Sequence, residues 1–301
     1  MCSQLFNTGS YYRVLPAQFV GGKFGDPDVK EVQTSIAPLH GVVEHIYKVR
    51  NKYDERNPKL KKTNATATRK LYHKLLFYRN FVALEKPLII PEGKTDTIYL
   101  KAAIERLTTF HPKLGQVVSG KFKPAIAFQR YSSKVHDILQ LGGGTGPFLH
   151  FIKSYRANLD RYRFRAVKHP VILLIDNDSG ADEVFKEAIK VGAAGVGLTS
   201  TEPFYRLVDN LYLVKTPEMG TKGTSCIESL FDPALLDEKL DGLPFDPGKK
   251  HGDDTKYGKQ DFAEKVVKPK AATINFSGFV PLLERISAVI DDYAVSPSTV
   301  P

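Results

Sequence analysis

VILLIDNDSG, at residues 171–180, is the stretch of sequence that decides the fold. Its first five residues are all apolar and either β-branched or leucine, which is typical of a strand buried on both faces of a parallel sheet. Asp176 and Asp178 follow this strand directly, and a helix is predicted over residues 183–191. A buried strand that ends in acidic residues and leads into a helix predicts one strand–helix unit of an α/β protein.

The same alternation of strand and helix continues on both sides of this stretch. A strand is predicted over residues 87–90 and a helix over residues 97–107, with the sequence EGKTD between them. Strand–helix alternation favours a mainly parallel sheet flanked by helices, so the predicted fold class is α/β. The other predicted elements are a strand at 135–141, a strand hairpin at 204–208 and 211–215, and helices at 148–155, 259–267 and 278–293.

The first 84 residues differ from the rest of the chain. Helical periodicity predicts helices over residues 28–50 and 65–84. We therefore expect a helical segment at 1–84, an α/β domain at 85–295 and a disordered tail at 296–301. The chain has a net charge of +10, and its first 84 residues hold 14 Lys and Arg but only six Asp and Glu. Such a basic segment indicates a polyanionic partner, most commonly nucleic acid, although a solvated basic surface is the alternative.

Composition excludes several classes of protein. No apolar run approaches the ~20 residues of a membrane span, so no membrane partner is expected. The N-terminus lacks the basic and apolar regions of a signal peptide. The two cysteines, Cys2 and Cys226, form neither a CxxC motif nor a Cys/His cluster, which excludes a zinc ribbon and a disulfide framework. A reducing cytoplasm is therefore the expected compartment.

Three acidic residues are expected to meet at one edge of the sheet. Glu92 follows the first predicted strand of the α/β domain, and Asp176 and Asp178 follow the buried strand. Ligands of open parallel sheets bind outside the carboxyl ends of the strands. Carboxylates crowded there repel one another unless a cation binds, and oxygen ligands favour Mg²⁺ or Mn²⁺ over zinc. Strand alternation places Asp176 and Asp178 on one side and Asn177 on the other.

More acidic candidates lie close to these three in the sequence. Asp96 comes four residues after Glu92 and is a candidate ligand for a second metal ion. Asp182 and Glu183 begin the helix that follows the buried strand. They either support the metal ligands or simply stabilise the positive end of the helix.

Glycines and basic residues are the candidate contacts to phosphate. In the turn LGGGTG, at residues 141–146, either backbone amides approach a phosphate or the glycines form a plain turn. Basic residues would line the outer face of the helix predicted over 65–84 and the linker before it. The candidate contacts are Gly143, Gly144, Thr145, Lys61, Lys62, Arg69 and Lys70.

Two of these motifs resemble the Toprim fold, which occurs in topoisomerases, bacterial primases, maturation ribonucleases and the overcoming-lysogenization-defect nucleases. The motifs are Glu92-Gly93 after one apolar strand and Asp176-x-Asp178 after another. The sequence IIPEGKTDTIYLKAAI, at residues 89–104, is similar to the nuclease branch, where a second acid follows the glutamate by four residues. Asp96 takes that place.

The resemblance to the nuclease branch also singles out two residues that spacing alone would leave as surface positions. In that branch an acid and a lysine downstream complete the site. Glu228 in CIESLF and Lys259 in YGKQDFA match them. The resemblance implies that Glu228 is a metal ligand and that Lys259 stabilises charge in the transition state.

Longer segments are similar to the Toprim extension of certain retron reverse transcriptases. These are LGGGTG, VILLIDNDSG, NLYLVKTP, SCIESLF and YGKQDFAEKVV. APLHGVVEHIYKVRNKY and KLYHKLLFYRNFVALEKP resemble the thumb helices that join the polymerase to that extension. The polymerases of this family are RNA-directed DNA polymerases, but no YxDD palm motif occurs in the sequence. The chain therefore resembles the C-terminal part of a fusion, from a truncated or split gene or as a fragment, and polymerase activity is not expected of it.

The resemblance implies a divalent-metal-dependent nuclease that cleaves RNA or DNA as an effector of antiphage defence. Its implied partners are nucleic acid, including a retron noncoding RNA or its DNA product, and a polymerase part; an oligomer is compatible with the sequence. The alternative is a non-catalytic nucleic-acid-binding or regulatory module. The implied roles are Glu92 as general acid/base or bridging ligand, Asp176 and Asp178 as principal metal ligands, Asp96 and Glu228 as ligands of a second metal, and Lys259 near the scissile phosphate.

Overall fold

The computed structural model of the chain describes residues 11–14, 35–38, 64–162, 167–221 and 223–296. The chain divides into two compact units, Met1–Asn80 and Phe81–Pro301. Lys61 and Lys62 lie outside the described residues, as does the predicted disordered tail apart from Ser296.

The first unit contains a pair of short strands and a helix among its described residues. Strand β1 (Tyr11–Val14) pairs antiparallel with β2 (Ser35–Pro38). Helix α1 spans Asn64–Phe77 and continues as a π-helical turn over Tyr78–Val82, which confirms the helix predicted over 65–84. The helix predicted over 28–50 is wrong at β2, where Pro38 disfavours helical geometry in the residue before it. The rest of that range lies outside the described residues.

The second unit is built on a five-stranded sheet. Its strands are β3 (Leu88–Pro91), β6 (Ala127–Phe128), β7 (Val171–Ile175), β8 (Tyr205–Val208) and β9 (Leu211–Lys215). The order is β6–β3–β7–β9–β8, and every neighbouring pair is parallel except the β8–β9 hairpin. Strands β3, β7 and β9 are buried at every position, because both faces of the sheet are covered. The predicted α/β fold class with a mainly parallel sheet is therefore confirmed.

Helices cover both faces of this sheet. They are α2 (Asp96–Arg106), α3 (Ser133–Leu139), α4 (Thr145–Leu159), α5 (Asp182–Lys190), α6 (Pro233–Leu236), α7 (Lys259–Asp261, continued by Phe262–Val267 and Lys268–Lys270) and α8 (Val280–Val295). One face of the sheet packs against α2, α7 and α8, whose side chains share a core with Ile172, Leu174 and Tyr212. No helix among the described residues is both long enough and apolar enough to cross a bilayer.

The strand predicted over 135–141 is wrong, because this segment forms helix α3. Val135, Ile138 and Leu139 are buried at the three- and four-residue spacing of a helix. Ser132 caps the helix by accepting a hydrogen bond from the Val135 N–H at 3.2 Å. The strand that pairs with β3 at this edge is instead the two-residue β6.

A small antiparallel hairpin is inserted before β6. It consists of β4 (Gly115–Val118) and β5 (Lys121–Pro124), joined by Ser119 and Gly120. Both turn residues have positive φ angles of 52° and 73°. These angles are typical of the tight two-residue turns whose twist matches that of the flanking strands.

Candidate functional site

The carboxyl ends of β3 and β7 place Glu92 and Asp176 next to each other. The two strands are parallel neighbours, with Pro91 paired to Leu174. The backbone N–H of Asp176 donates a hydrogen bond to Glu92 Oε2 at 3.2 Å. These two predicted site residues therefore meet at the carboxyl edge of the sheet.

Asp96 is buried beside them, at the start of α2. Its Oδ2 accepts a hydrogen bond from the Gly93 N–H at 2.7 Å, and its Oδ1 lies 3.4 Å from Thr95 Oγ1. A Cβ atom on residue 93 would lie only 2.5 Å from Asp96 Oδ1. Glycine is therefore needed at position 93 because the Asp96 carboxylate occupies the space beside it.

Glu228 reaches the same edge from the segment that follows β9. Asn177 and Ser225 exchange backbone hydrogen bonds at 2.9 Å in both directions. Two residues on, the Ile227 N–H donates to Asp176 Oδ1 at 2.9 Å. Glu228 follows in a 3₁₀ turn and is only 1% exposed. The interpretation as a surface residue, which spacing alone favours, is thus wrong for Glu228.

Lys259, the first residue of α7, supplies a positive charge at this cluster. Its Nζ lies 2.9 Å from Glu228 Oε2. Burial disfavours the ammonium form, but the attraction of Glu228 outweighs burial and raises the pKa of Lys259 to about 12. Tyr99 also fixes the start of this helix, because its hydroxyl donates to the Lys259 carbonyl at 3.3 Å. Lys259 therefore stays charged throughout the physiological pH range.

The acidic side chains affect one another's protonation. Burial is the largest cause of the raised pKa of Asp176, which reaches about 8, and the negative charge of Asp96 adds to it. Burial also raises the pKa of Asp96 and of Glu92. Lys259 opposes these shifts but does not cancel them. A bound cation would stabilise all three carboxylates in their ionised form.

Asp178 is more exposed than its neighbours. Its Oδ1 accepts a hydrogen bond from the Gly180 N–H at 2.8 Å and caps the short turn before α5. Asp178 still contributes to the raised pKa of Glu92, so its charge acts on the site. Asp182 and Glu183 are exposed in the first turn of α5, and Glu183 forms an ion pair with Lys186 at 2.6 Å. This pairing turns Glu183 toward its own helix and favours the helix-stabilising interpretation.

The glycine turn lies against Glu92. The Gly144 N–H donates to the Glu92 carbonyl at 3.1 Å, and a Cβ atom on Gly143 would lie 3.1 Å from the same oxygen. Thr145 is the first residue of α4, so the N-terminus of this 15-residue helix borders the acidic cluster. Arg69 and Lys70 are exposed on α1, which belongs to the first unit.

The residues fit a divalent metal in their chemistry, but their side chains are not yet arranged around one. No group of three or more His, Cys, Asp or Glu side chains in the described part of the chain is placed to hold a metal ion as it stands. The carboxylates of Asp96 and Asp176 face backbone N–H groups instead. Glu228 Oε1, however, is buried without a hydrogen-bond partner. An all-oxygen set containing such an atom suits Mg²⁺ or Mn²⁺ after side-chain rotation.

Tyr131 is a site residue that the sequence did not reveal. Its hydroxyl donates to the carbonyl of Pro91, the residue before Glu92. Burial raises the pKa of Tyr131, and the charges of Asp96 and Glu92 add to the shift. Tyr131 follows β6 at the carboxyl edge of the sheet, and a strand of two residues gives almost no signal in the sequence.

Buried Glu228 depends on its ion pair with Lys259 for stability. We expect Lys259→Met to lower the melting temperature, because Glu228 loses its cationic partner while it stays buried. Removing one partner of a buried pair costs about 3–5 kcal/mol; the Lys259 side chain is 36% exposed, so we expect about 2 kcal/mol. Thermal unfolding in EDTA measures the loss. Adding Glu228→Gln should restore most of it, and a double variant as unstable as Lys259→Met contradicts the pairing.

No family model matches the chain, and no solved structure matches it either. The function of this carboxylate–lysine cluster is therefore inferred from its own geometry and electrostatics.

Proposed function

We propose that the chain is a divalent-metal-dependent nuclease that hydrolyses phosphodiester bonds of RNA or DNA. One observation carries the proposal: four acidic side chains and one lysine converge at the carboxyl edge of a parallel sheet. The pKa values of three of these acids are raised by burial, so ionising them together calls for a cation. The five residues are Glu92, Asp96, Asp176, Glu228 and Lys259.

The metal would be held by carboxylate oxygens of Asp96, Asp176 and Glu228, with Asp178 and Glu92 at its border. Bound Mg²⁺ or Mn²⁺ supplies Lewis acidity, which activates an attacking water and neutralises charge on the phosphate. Lys259, which lies beside Glu228, would stabilise the negative charge of the phosphate. Glu92, whose pKa burial raises, is placed to accept a proton from the attacking water.

The surroundings of the cluster suit a phosphate group. The N-terminus of α4 borders Glu92, and the backbone of Gly143 and Gly144 approaches it closely. Helix N-termini favour anions, because their first N–H groups have no partner within the helix. The Gly144 N–H itself is bound to the Glu92 carbonyl, so the first N–H groups of α4 would face the phosphate. The acids and the phosphate-binding backbone would therefore hold the metal and the scissile group from two sides.

We further propose that the nuclease is of the Toprim type and acts as a retron effector. The acids follow β3 and β7, which are adjacent parallel strands, and this supports a Toprim-like arrangement. The resemblance of five sequence segments to retron Toprim extensions supports the role as a retron effector. Under this proposal the partners are nucleic acid, a retron noncoding RNA or its DNA product, and a polymerase part.

The test is cleavage of labelled RNA and DNA, single- and double-stranded, with Mg²⁺, with Mn²⁺ and in EDTA. We expect products with metal, none in EDTA, and recovery when metal is restored. Asp237→Asn is a matched control, because it removes an exposed carboxylate outside the cluster and should cleave like the wild type. If no substrate is cut with any divalent metal, the nuclease proposal is wrong.

A second function, a non-catalytic nucleic-acid-binding module, is favoured by one observation. In the described residues the carboxylates face backbone N–H groups and Lys259, and no three of them are preformed around a metal. Binding of nucleic acid that persists in EDTA, without cleavage under any metal, would support this alternative.

A further inference from the structure

A long basic stretch without acids runs along the edge of the sheet next to the site. The chain has 33 Asp and Glu in 301 residues, yet none occurs between Glu105 and Asp137. The basic residues of this interval are Arg106, Lys113, Lys121, Lys123, Arg130 and Lys134. Lys113 forms an ion pair with Asp291. Lys121, Lys123 and Arg130 are exposed and form no ion pair among the described residues.

Two of these residues lie on one face of the β4–β5 hairpin. Lys121 and Lys123 alternate with Phe122 along β5, so both point to the same side. Gln116 lies opposite Lys123 in the register, is exposed, and shares that face. Val118, opposite Lys121, lies on this face as well. A two-stranded ribbon that carries two lysines on one face fits the phosphates and groove edges of a nucleic acid.

The hairpin is firmly held at the amino edge of the sheet. The Ala125 N–H donates to the Leu114 carbonyl at 3.0 Å and closes the base of the hairpin. Lys86, two residues before β3, donates from its Nζ to the Pro124 carbonyl at 2.7 Å. The basic face is therefore fixed relative to β3, the strand that carries Glu92 at its other end.

Arg130 lies at that other end, close to the acidic cluster. The Gln129 N–H donates to the Ile89 carbonyl at 2.8 Å, which continues the β6–β3 pairing. On the other side of Arg130, the hydroxyl of Tyr131 donates to the Pro91 carbonyl. Arg130 is thus held between two contacts to β3, beside the end of that strand at Pro91.

The spacing between these two basic positions sets an upper limit on the length of partner between them. Seven residue steps lead from Lys123 to Arg130, and an extended chain of that length covers about 25 Å at most. A nucleic-acid strand in a duplex advances ~3.4 Å per nucleotide along the axis, so this limit corresponds to about seven steps.

We infer that the hairpin lysines Lys121 and Lys123, together with Arg130, form a docking track for the backbone of a nucleic-acid substrate. The track leads from the amino edge of the sheet, along β6, to the carboxylates at the carboxyl edge. This inference rests on the proposed nuclease function, and it adds that the substrate extends up to about seven nucleotides beyond the scissile phosphate.

The first experiment measures binding in EDTA, where no metal-dependent cleavage interferes. Lys121→Ala/Lys123→Ala in the full chain is titrated with a labelled duplex of about 30 base pairs, as DNA and as RNA, at several salt concentrations. We expect affinity to fall about tenfold and the salt slope to fall by about two, one for each lost phosphate contact. Lys186→Ala/Lys190→Ala removes the same charge from α5, where both lysines pair with glutamates, and should bind like the wild type.

The second experiment compares substrates of different length. The loss in kcat/KM caused by Lys121→Ala/Lys123→Ala should appear on the long duplex and vanish on oligonucleotides of about three nucleotides, which cannot span the track. Arg130→Ala should weaken cleavage of both, because Arg130 lies beside the site. Equal losses on long and short substrates, or binding by the hairpin variant that matches the α5 control, would overturn the docking track. A wild type that binds but never cleaves refutes the nuclease and leaves the track to be judged by binding alone.

Discussion

Asp176→Asn is expected to reduce metal-dependent cleavage by on the order of 10³-fold or more. A neutral amide is a poor ligand for a hard cation, and Asp176 lies between Glu92 and the segment that carries Glu228. An Asn side chain still offers an oxygen to the Ile227 N–H, so the fold should be retained. Cleavage of labelled RNA or DNA with saturating Mg²⁺ or Mn²⁺ measures the loss, and a variant that cuts like the wild type contradicts the site.

The same substitution should raise the stability of the metal-free protein. Burial holds the pKa of Asp176 at about 8, whereas the ordinary value is 3.8. Between about pH 4 and about pH 8 the folded protein therefore keeps a proton that the unfolded chain has released. The free energy of unfolding falls as pH rises through this window, and below about pH 4 the stabilising contribution of the protonated Asp176 is fully present. Asp176→Asn has no carboxyl group to ionise, so the variant does not lose this stability as pH rises.

Thermal unfolding in EDTA at several pH values checks this expectation. Asp176→Asn should melt higher than the wild type at pH 8 and much less so at pH 5. For a unit of this size, ~1 kcal/mol corresponds to about 2–4 °C. Excess Mg²⁺ should raise the melting temperature of the wild type at pH 8 and have little effect on the variant. A variant that is less stable than the wild type at pH 8 in EDTA argues against crowding of buried charge.

Asn177→Ala is expected to weaken both the fold and the metal site. Asn177 is fully buried, and its Nδ2 donates to the carbonyls of Leu198 at 2.9 Å and Gly223 at 2.6 Å. Its Oδ1 lies 3.3 Å from Nζ of the buried Lys215. Truncation leaves buried polar groups without partners, which costs about 2–4 kcal/mol. It also loosens the segment that begins at Ser225 and carries Glu228, so the metal concentration for half-maximal cleavage should rise about tenfold or more.

Asn210→Ala is a matched control for this substitution. Asn210 is equally buried but lies at the amino edge of the sheet, where its side chain accepts from the Tyr155 hydroxyl at 2.9 Å and donates to the His169 carbonyl at 2.9 Å. Its loss should destabilise the protein to a similar degree without changing the metal requirement. Both variants are assayed at a temperature at which circular dichroism shows them folded. An unchanged metal requirement in Asn177→Ala would show that Asn177 is structural only and has no positioning role.

Much of the sheet was predictable from local sequence, because its central strands are buried on both faces. The strand at 171–175 is a run of five apolar residues, and it was confirmed to the residue. The edge strand β6 has only two residues, half-buried, and could not be predicted. The apolar residues of 135–141 were interpreted as a strand, although the spacing of Val135, Ile138 and Leu139 is helical, as the structure shows.

The sequence by itself determined that acids follow two buried strands. Because parallel strands present their carboxyl ends at one edge of a sheet, it also predicted that these acids lie at the same edge. It also determined the α/β class, through alternating strand and helix periods. Only the tertiary structure decided that β3 and β7 are neighbours, which brings Glu92 to Asp176. The burial of Glu228 against Lys259, and the approach of Tyr131 to Pro91, are contacts between segments far apart in the chain. Such contacts depend on how the segments pack in three dimensions, and local periodicity does not predict them.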